Sequence, residues 1–431
     1  MAGETIHRLI ETRLLRGGKH WNFREFCLIR SIEGLRGVAA LLVALFHAYV
    51  YGKWGGLPAQ SGVLQQAWLF VDLFFVISGY VMASAYGERL DSMRAATSYM
   101  VRRFFRLYPL HIVTTATVLL AVVGIQTAKL ILGHYGFKLG NEAPFDFEFF
   151  NLKLLVLDLL LLQGVGIMRM EIHNYPSWSI SVEFWLYLMF ALLMLAVRQR
   201  GARIVMSAAI VVMSLAYFLV YWSAVPPELQ TLDTRGLPRG MLSFFQGVLL
   251  FYLYQRLADR LSGADATAGA DGHLRSPGAG SARRLPSGLV SAVQVAAAVL
   301  ALYLVSRQPL LGTWQLVIPF SFTLLVLFLL PDRGVVAALL QTAPMQWLGQ
   351  HSYSIYLTHV TVLTVLDWPG RVVPEPAKHL VGLVYVVLVF GLSALTYRYI
   401  ETPWRERGKG IARRIETGGA FTGQVDPTSP R

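Results

Sequence analysis

Apolar blocks of about twenty residues recur along almost all of this 431-residue chain, and they constrain its fold more than any other feature. A helix of that length rises about 30 Å, the thickness of the hydrocarbon core of a bilayer. A segment in lipid must satisfy its own backbone hydrogen bonds, so these blocks predict an all-α, polytopic membrane protein. Ten spanning helices are predicted, near residues 32–52, 67–86, 107–125, 178–197, 203–223, 239–258, 288–306, 312–330, 350–368 and 380–400.

An eleventh apolar stretch, 152–166, is shorter and carries Asp158. If it does not span and the N-terminus is cytoplasmic, 25 Lys and Arg residues lie in inner segments and 9 in outer loops. This is the charge distribution typical of membrane proteins, and counting the stretch as a span would invert every later loop. It is therefore predicted to be re-entrant or interfacial, with both termini cytoplasmic.

The polar parts of the chain predict the domain boundaries. Residues 1–31 form a basic cytoplasmic segment that lacks the pattern of a secretory signal peptide. The membrane domain is predicted over 32–405, interrupted at 259–287 by a Gly-, Ala- and Ser-rich flexible cytoplasmic linker. Residues 406–431 are predicted to be a disordered cytoplasmic tail.

Net charge and cysteine content exclude several classes of protein. A formal charge of +13 fits basic cytoplasmic loops in a membrane protein, so no nucleic-acid partner is predicted. Cys27 is the only cysteine, which excludes an intramolecular disulfide and a thiolate metal cluster. No metal is expected.

Two ionisable residues, Arg36 and His47, lie eleven positions apart in the first predicted helix. Eleven residues make about three turns and a rise of about 16 Å, so both side chains project from one face. Ionisable groups at such depth are costly and usually functional. The loop charges place Arg36 near the cytoplasm and His47 in the outer half, where a neutral imidazole can accept a proton from a hydroxyl.

Further ionisable residues flank the next predicted helices. Arg102, Arg103 and Arg106 follow the second helix on the inner side, where they could be ordinary cytoplasmic anchors. Alternatively, Arg102 or Arg103 shares a helix face with Arg106, and the two could bind a polyphosphate. Glu183 lies in the outer half and could orient an imidazole or take a proton itself. Asp72 could pair with the histidine of the first helix, or face water in a loop.

The stretches that carry these residues, taken in order, resemble the acyltransferase family 3 membrane proteins, which include bacterial O-antigen acetyltransferases and nodulation-factor acyltransferases. The matching patterns are Arg36 with His47, FFVISG at 74–79, Arg103 with Arg106, WSISVE at 178–183, SYSIYLTH at 352–359, and Glu401 with Pro403. The resemblance implies a ten-helix enzyme of the bacterial inner membrane. It would move an acyl group from a cytoplasmic donor, usually acetyl-CoA, to a hydroxyl of a surface polysaccharide, lipopolysaccharide or glycolipid. The stand-alone form, without a fused extracytoplasmic domain, is expected.

Roles follow for the candidate residues. His47 is predicted to be the general base for the acceptor hydroxyl, or to be acylated itself, with Glu183 orienting it and Asp72 as a third catalytic candidate. Arg36, Arg102, Arg103 and Arg106 are predicted to contact the acyl-CoA. Predicted to bind substrate or support the site are Ser78, Trp178, Ser181, Arg239 and His359. The alternative function is a proton-coupled transporter of a small polar or anionic substrate.

Overall fold

The computed structural model describes residues 29–52, 61–135, 151–166, 173–224, 236–261 and 286–418. The predicted N-terminal segment before residue 29, most of the predicted linker and the end of the tail lie outside these ranges. Within them the protein is entirely helical, as predicted, and contains no strand.

The helices, in chain order, are α1 (Arg30–Gly52), α2 (Phe70–Tyr86), α3 (Met93–His134), α4 (Leu152–Leu159), α5 (Ser177–Ala196), α6 (Arg200–Ser223), α7 (Gly236–Leu261), α8 (Ser287–Ser306), α9 (Val317–Leu329), α10 (Val335–Leu340), α11 (Ala343–Gln350), α12 (Ser352–Val372), α13 (Glu375–Thr396) and α14 (Thr402–Glu416). Short helical turns at Gly62–Gln65, Ala67–Leu69, Gln308–Leu311 and Gly312–Leu316 precede α2 and α9, and a π-helical turn at Tyr397–Glu401 joins α13 to α14.

Eight helical stretches of the described residues are long and apolar enough to cross a membrane, which makes this a multi-pass membrane protein. The predicted spans 239–258 and 350–368 form α7 and α12, helices of 26 and 21 residues that are not among the eight. Polar side chains lower the hydropathy of these two helices. Several of them, including Arg239 in α7 and His359 in α12, are fully buried, so they face other helices rather than lipid.

The stretch 152–166 does not form a spanning helix, in agreement with the sequence prediction. Helix α4 has eight residues and rises about 12 Å. The buried carboxylate of Asp158 accepts a 2.6 Å hydrogen bond from Nδ1 of His173, and its backbone carbonyl accepts one of 2.9 Å from Nε2 of His111 in α3. The chain then turns at Leu161, whose φ is 55°. These contacts fold the segment into the protein.

The prediction that a disordered tail begins at residue 406 is wrong for 406–416, because α14 continues to Glu416. This helix packs along the first half of α3. The carboxylate of Glu416 accepts hydrogen bonds from Ser98 at 2.6 Å and from Arg102 at 2.8 Å. Gly408 permits the close approach, since a Cβ there would collide with a side chain of α3. The polar composition that suggested disorder belongs to an amphipathic helix.

Glycines hold the central helices close together. In α2, a Cβ at Gly79 would collide with the carbonyl oxygen of Phe244 in α7, and one at Gly247 with the carbonyl of Val76. Gly37 of α1 similarly meets the backbone of α11. Small residues that allow backbones to approach are typical of helix packing in membranes. The polar side chains of α1, α2 and α7 are thereby held in fixed positions within the bundle.

Candidate active site

A cavity lies between α1, α2, α3, α5 and α12, and we call it the arginine cavity. Its walls include five residues predicted from the sequence: Arg36, Ser78, Arg103, Arg106 and Glu183. These residues are spread over almost 150 positions of the chain. The fold therefore gathers most of the predicted donor-binding residues around one space.

A second cavity contains His47 in its wall, and we call it the histidine cavity. Its other polar lining residues include Gln126, Lys129, Tyr175 and Asp367. The two cavities have no lining residue in common. The predicted base and the predicted donor-binding arginines thus face different spaces.

The two cavities lie towards opposite ends of the bundle. Three helices line both, and each contributes earlier residues to the arginine cavity and later residues to the histidine cavity. The pairs are Arg36 and His47 in α1, Arg106 and Gln126 in α3, and Ser352 and Asp367 in α12. In α1 the two residues are separated by about 16 Å of helix.

Two guanidinium groups in the arginine cavity, those of Arg36 and Arg106, form no ion pair or hydrogen bond with the described part of the chain. They lie close enough for their like charges to interact. The buried carboxylate of Glu401 interacts with both guanidinium groups without forming a direct ion pair with either. Two positive charges that share one such carboxylate beside a cavity favour binding of an anion.

Arg103 reaches the same cavity through a cluster of tyrosine rings. Its guanidinium lies 5.3 Å from the ring centre of Tyr86, 5.7 Å from that of Tyr99 and 5.6 Å from that of Tyr187, and it donates a 3.0 Å hydrogen bond to the Tyr86 hydroxyl. Arg102 differs, because its buried side chain pairs with the carboxylate of α14 and does not line the cavity. The structure therefore does not bring Arg102 together with the other predicted donor-binding arginines.

Glu183 forms a hydrogen-bonded group with Ser78 and Tyr187. The hydroxyl of Ser78 donates to Oε1 of Glu183 at 2.9 Å, the hydroxyl of Tyr187 donates to the same oxygen, and the two hydroxyls are 2.9 Å apart. The prediction that Glu183 orients His47 is wrong, since α5 turns this carboxylate into the arginine cavity. Tyr187 was missed, although it lies one turn after Glu183 and so on the same helix face.

His47 is held by a second histidine. Its Nδ1 donates to the carbonyl of Val43 at 2.9 Å and lies 3.1 Å from Nε2 of His359, whose own Nδ1 donates to the carbonyl of Ile355 at 3.2 Å. The two rings stack with centres 5.0 Å apart. Protonation of both Nδ1 atoms leaves the lone pair of His47 on Nε2, as general base catalysis requires. His359 therefore supports His47 directly.

Asp72 does not pair with His47 and lines neither cavity. It forms a fully buried ion pair with Arg239, in which Nε and Nη2 of the arginine lie 3.0 and 2.8 Å from the carboxylate oxygens. The guanidinium lies between the rings of Trp68 and Trp178, at 4.7 and 5.4 Å from their centres. The predicted catalytic pairing of Asp72 is thus replaced by a structural link between α2 and α7, to which Trp178 also belongs.

Ser181 holds the turn that follows α4. Its hydroxyl donates to the carbonyl of Leu161 at 2.5 Å and accepts from the backbone nitrogen of Gly164 at 3.1 Å. It lines neither cavity. Ser181 therefore supports the backbone of this turn and not the wall of a cavity.

Two aromatic side chains in the wall of the arginine cavity link it to the histidine pair. Phe74 and Tyr356 both line the arginine cavity, with ring centres 5.7 Å apart. The ring of Tyr356 is also 6.1 Å from that of His359, which stacks on His47. Ser179 fixes Tyr356 through a 2.8 Å hydrogen bond between their hydroxyls. We call Phe74 and Tyr356 the aromatic partition.

Comparison with known proteins finds a matching family model and several relatives of this chain. A family model described as an acyltransferase domain matches residues 29–398. BcsY of Komagataeibacter xylinus, whose name describes a membrane-bound transacylase, is 26% identical over 86% of this chain and 82% of its own length. The acyltransferase MdmB of Streptomyces mycarofaciens is 27% identical over 77% of this chain and 78% of its own length.

Other relatives match over only part of their length. The peptidoglycan O-acetyltransferase OatA of Listeria monocytogenes is 22% identical over 88% of this chain, and the match spans 56% of OatA. Protein 2 of the picA locus of Rhizobium radiobacter is 38% identical over 22% of this chain and 49% of its own length. The chain thus spans about half the length of these two relatives. No solved structure matches it.

Proposed function

This chain belongs to the acyltransferase family whose domain covers residues 29–398, and we propose that it is an integral membrane O-acyltransferase. It moves an acyl group, acetyl in the first instance, from cytoplasmic acyl-CoA to a hydroxyl of an extracytoplasmic or lipid-linked glycan. The names of BcsY and OatA, a transacylase and a peptidoglycan O-acetyltransferase, support this class of reaction.

One observation carries the proposal: Arg36 and Arg106 line one cavity, and neither forms a direct ion pair or hydrogen bond with a carboxylate in the described part of the chain. Coenzyme A is a polyanion, and guanidinium groups bind phosphate oxygens in a bidentate manner. We take the chain to cross the inner membrane of a bacterium ten times with its N-terminus in the cytoplasm. In that topology the arginine cavity opens towards the cytoplasm, where acyl-CoA is found.

The acceptor would enter through the histidine cavity. His47 presents the lone pair of Nε2 there, and its tautomer is fixed by the carbonyl of Val43 and by His359. The cavity also offers the ring of Tyr175 and the amide of Gln126, the mixture of aromatic and polar groups that suits a sugar. His47 then accepts the proton of the attacking hydroxyl.

The test is to incubate membranes containing the protein with radiolabelled acetyl-CoA and candidate glycans. A positioned base contributes about 10²- to 10⁴-fold, so His47→Ala should retain less than about a tenth of the wild-type transfer. Arg36→Gln with Arg106→Gln should raise the KM for acetyl-CoA, whereas Arg407→Gln, on the exposed side of α14, should not. Passage of an unmodified anion across vesicles, with no labelled product, would instead indicate a transporter.

A further inference from the structure

The hydroxyl of Ser78 donates to a carboxylate at the wall of a cavity. Ser98, Ser243 and Ser354 also donate to carboxylates across helices, but none of these three lines either cavity. Serine in a helix commonly donates to a carbonyl of the preceding turn. Ser214 of α6 and Ser321 of α9 do so, at 2.8 and 2.7 Å. Ser78 donates instead to the carboxylate of Glu183, across helices and at the wall of the arginine cavity. A hydroxyl bonded to a carboxylate beside a ligand cavity has the geometry of an activated nucleophile.

We propose that Ser78 is transiently acylated by the donor in the arginine cavity, an inference that rests on the proposed function. The separation of the cavities motivates it. An acyl-CoA held by Arg36 and Arg106 shares a cavity with Ser78 and Glu183, whereas His47 lies in the wall of another cavity. Tyr187 also lines this cavity and donates to Glu183, but only 2% of this residue is exposed, whereas Ser78 is partly accessible.

The first half-reaction balances with the groups present. Oγ of Ser78 attacks the thioester carbonyl, the C–Oγ bond forms and the C–S bond breaks. The serine proton passes to Glu183, which remains protonated. Coenzyme A leaves as a thiolate, close to the positive charges of Arg103 and Arg106, and takes a proton from cytoplasmic water.

The second half-reaction returns Ser78 to its starting state. The acceptor hydroxyl loses its proton to His47, and its oxygen attacks the ester carbonyl. The C–Oγ bond breaks, and Glu183 returns its proton to Ser78. His47 releases its proton to outer water.

The position of Ser78 suits this exchange between cavities. Phe74 of the aromatic partition lies four residues before Ser78 in α2, so the two side chains project from one face of the helix. The ester on Ser78 would therefore form beside the boundary that the acyl group has to cross. Tyr356, the other member of the partition, approaches the ring of His359, which stacks on His47.

The experiment uses the full chain in detergent or liposomes with radiolabelled acetyl-CoA and no glycan. Acid quenching, digestion and mass spectrometry should find about 42 Da added to the peptide that contains Ser78, together with release of one equivalent of CoA. His47→Ala should accumulate this ester, because only the second half-reaction is blocked. Ser78→Ala should lose both the label and the release of CoA, whereas Ser214→Ala, the matched control, should keep them.

Each outcome supports or overturns the inference. Ser78→Cys should give a thioester that neutral hydroxylamine cleaves, which keeps the test informative if the alanine variant folds poorly. A label on His47 or Tyr187, or a Ser78→Ala variant that transfers acetyl to glycan at more than about a tenth of the wild-type rate, would overturn it while leaving the proposed function intact. A wild-type protein that consumes no acetyl-CoA with or without glycan would instead refute the proposed function itself.

Discussion

The buried ion pair between Asp72 and Arg239 allows a structural role to be separated from a catalytic one. Both side chains are almost fully inaccessible, at 0% and 1% exposure. Three nitrogen–oxygen contacts of 2.8–3.1 Å join them, and Ser243 donates to the same carboxylate at 3.0 Å. Removing one partner leaves an uncompensated charge, so Asp72→Asn or Arg239→Met should destabilise the fold by about 3–5 kcal/mol.

Replacing the whole group should cost far less. Buried ion pairs exchanged for apolar side chains of similar volume are often neutral or stabilising. The triple variant Asp72→Leu, Arg239→Met and Ser243→Ala leaves no charge and no orphaned hydroxyl, so its stability should lie within about 2 kcal/mol of the wild type.

Equilibrium unfolding in mixed detergent micelles would measure these differences. A loss of 3–5 kcal/mol lowers the ratio of folded to unfolded protein roughly 150- to 5,000-fold, which is well resolved. Acetyl transfer is measured on the fraction that remains folded. Single variants as stable as the wild type would refute the energetic argument, and a folded but inactive triple variant would show that Asp72 takes part in the chemistry after all.

Two further predictions concern α2 and α5. Gly79→Ala should greatly reduce the yield of folded protein, because the added Cβ would collide with the carbonyl of Phe244. The control Gly124→Ala should be harmless, because no atom lies within 4 Å of its added carbon. Size-exclusion profiles in detergent compare the two variants, and equal profiles would contradict the close packing of α2 on α7. Glu183→Gln keeps the shape of the side chain but removes the base, so its turnover should fall about 10²- to 10⁴-fold. The control Glu406→Gln, at an exposed position, should have the turnover of the wild type. A Glu183→Gln variant with nearly the wild-type turnover would exclude Glu183 from proton transfer.

The sequence predicted the helical architecture and grouped three arginines of the arginine cavity, Arg36, Arg103 and Arg106, because both inferences follow from local patterns. Helix period and loop charge are enough to place Arg36 and His47 on one face of α1 and towards opposite ends of it. The non-spanning character of 152–166 follows from the same charge count. These inferences need no knowledge of which helices touch.

The sequence did not predict which side chains meet across helices, because these contacts depend on how each helix is rotated about its axis. Asp72 and Arg239 are 167 positions apart, and nothing local indicates that they meet. Glu183 was assigned to His47 by depth in the membrane alone, but α5 turns it towards Ser78. The helix over 406–416 was missed because its polarity resembles that of a disordered segment, although it is stabilised by packing on α3.

The aromatic partition also bears on whether protons and ions can leak across the membrane. An enzyme that takes a donor on one side of a membrane and an acceptor on the other is at risk of becoming a leak for protons and ions. Phe74 and Tyr356 line one of two polar cavities that have no wall residue in common. A contact between these rings that excludes water would keep the cavities from joining in one column of water. Under the proposed function, the bilayer would then keep its electrical insulation while a small uncharged acyl group crosses it.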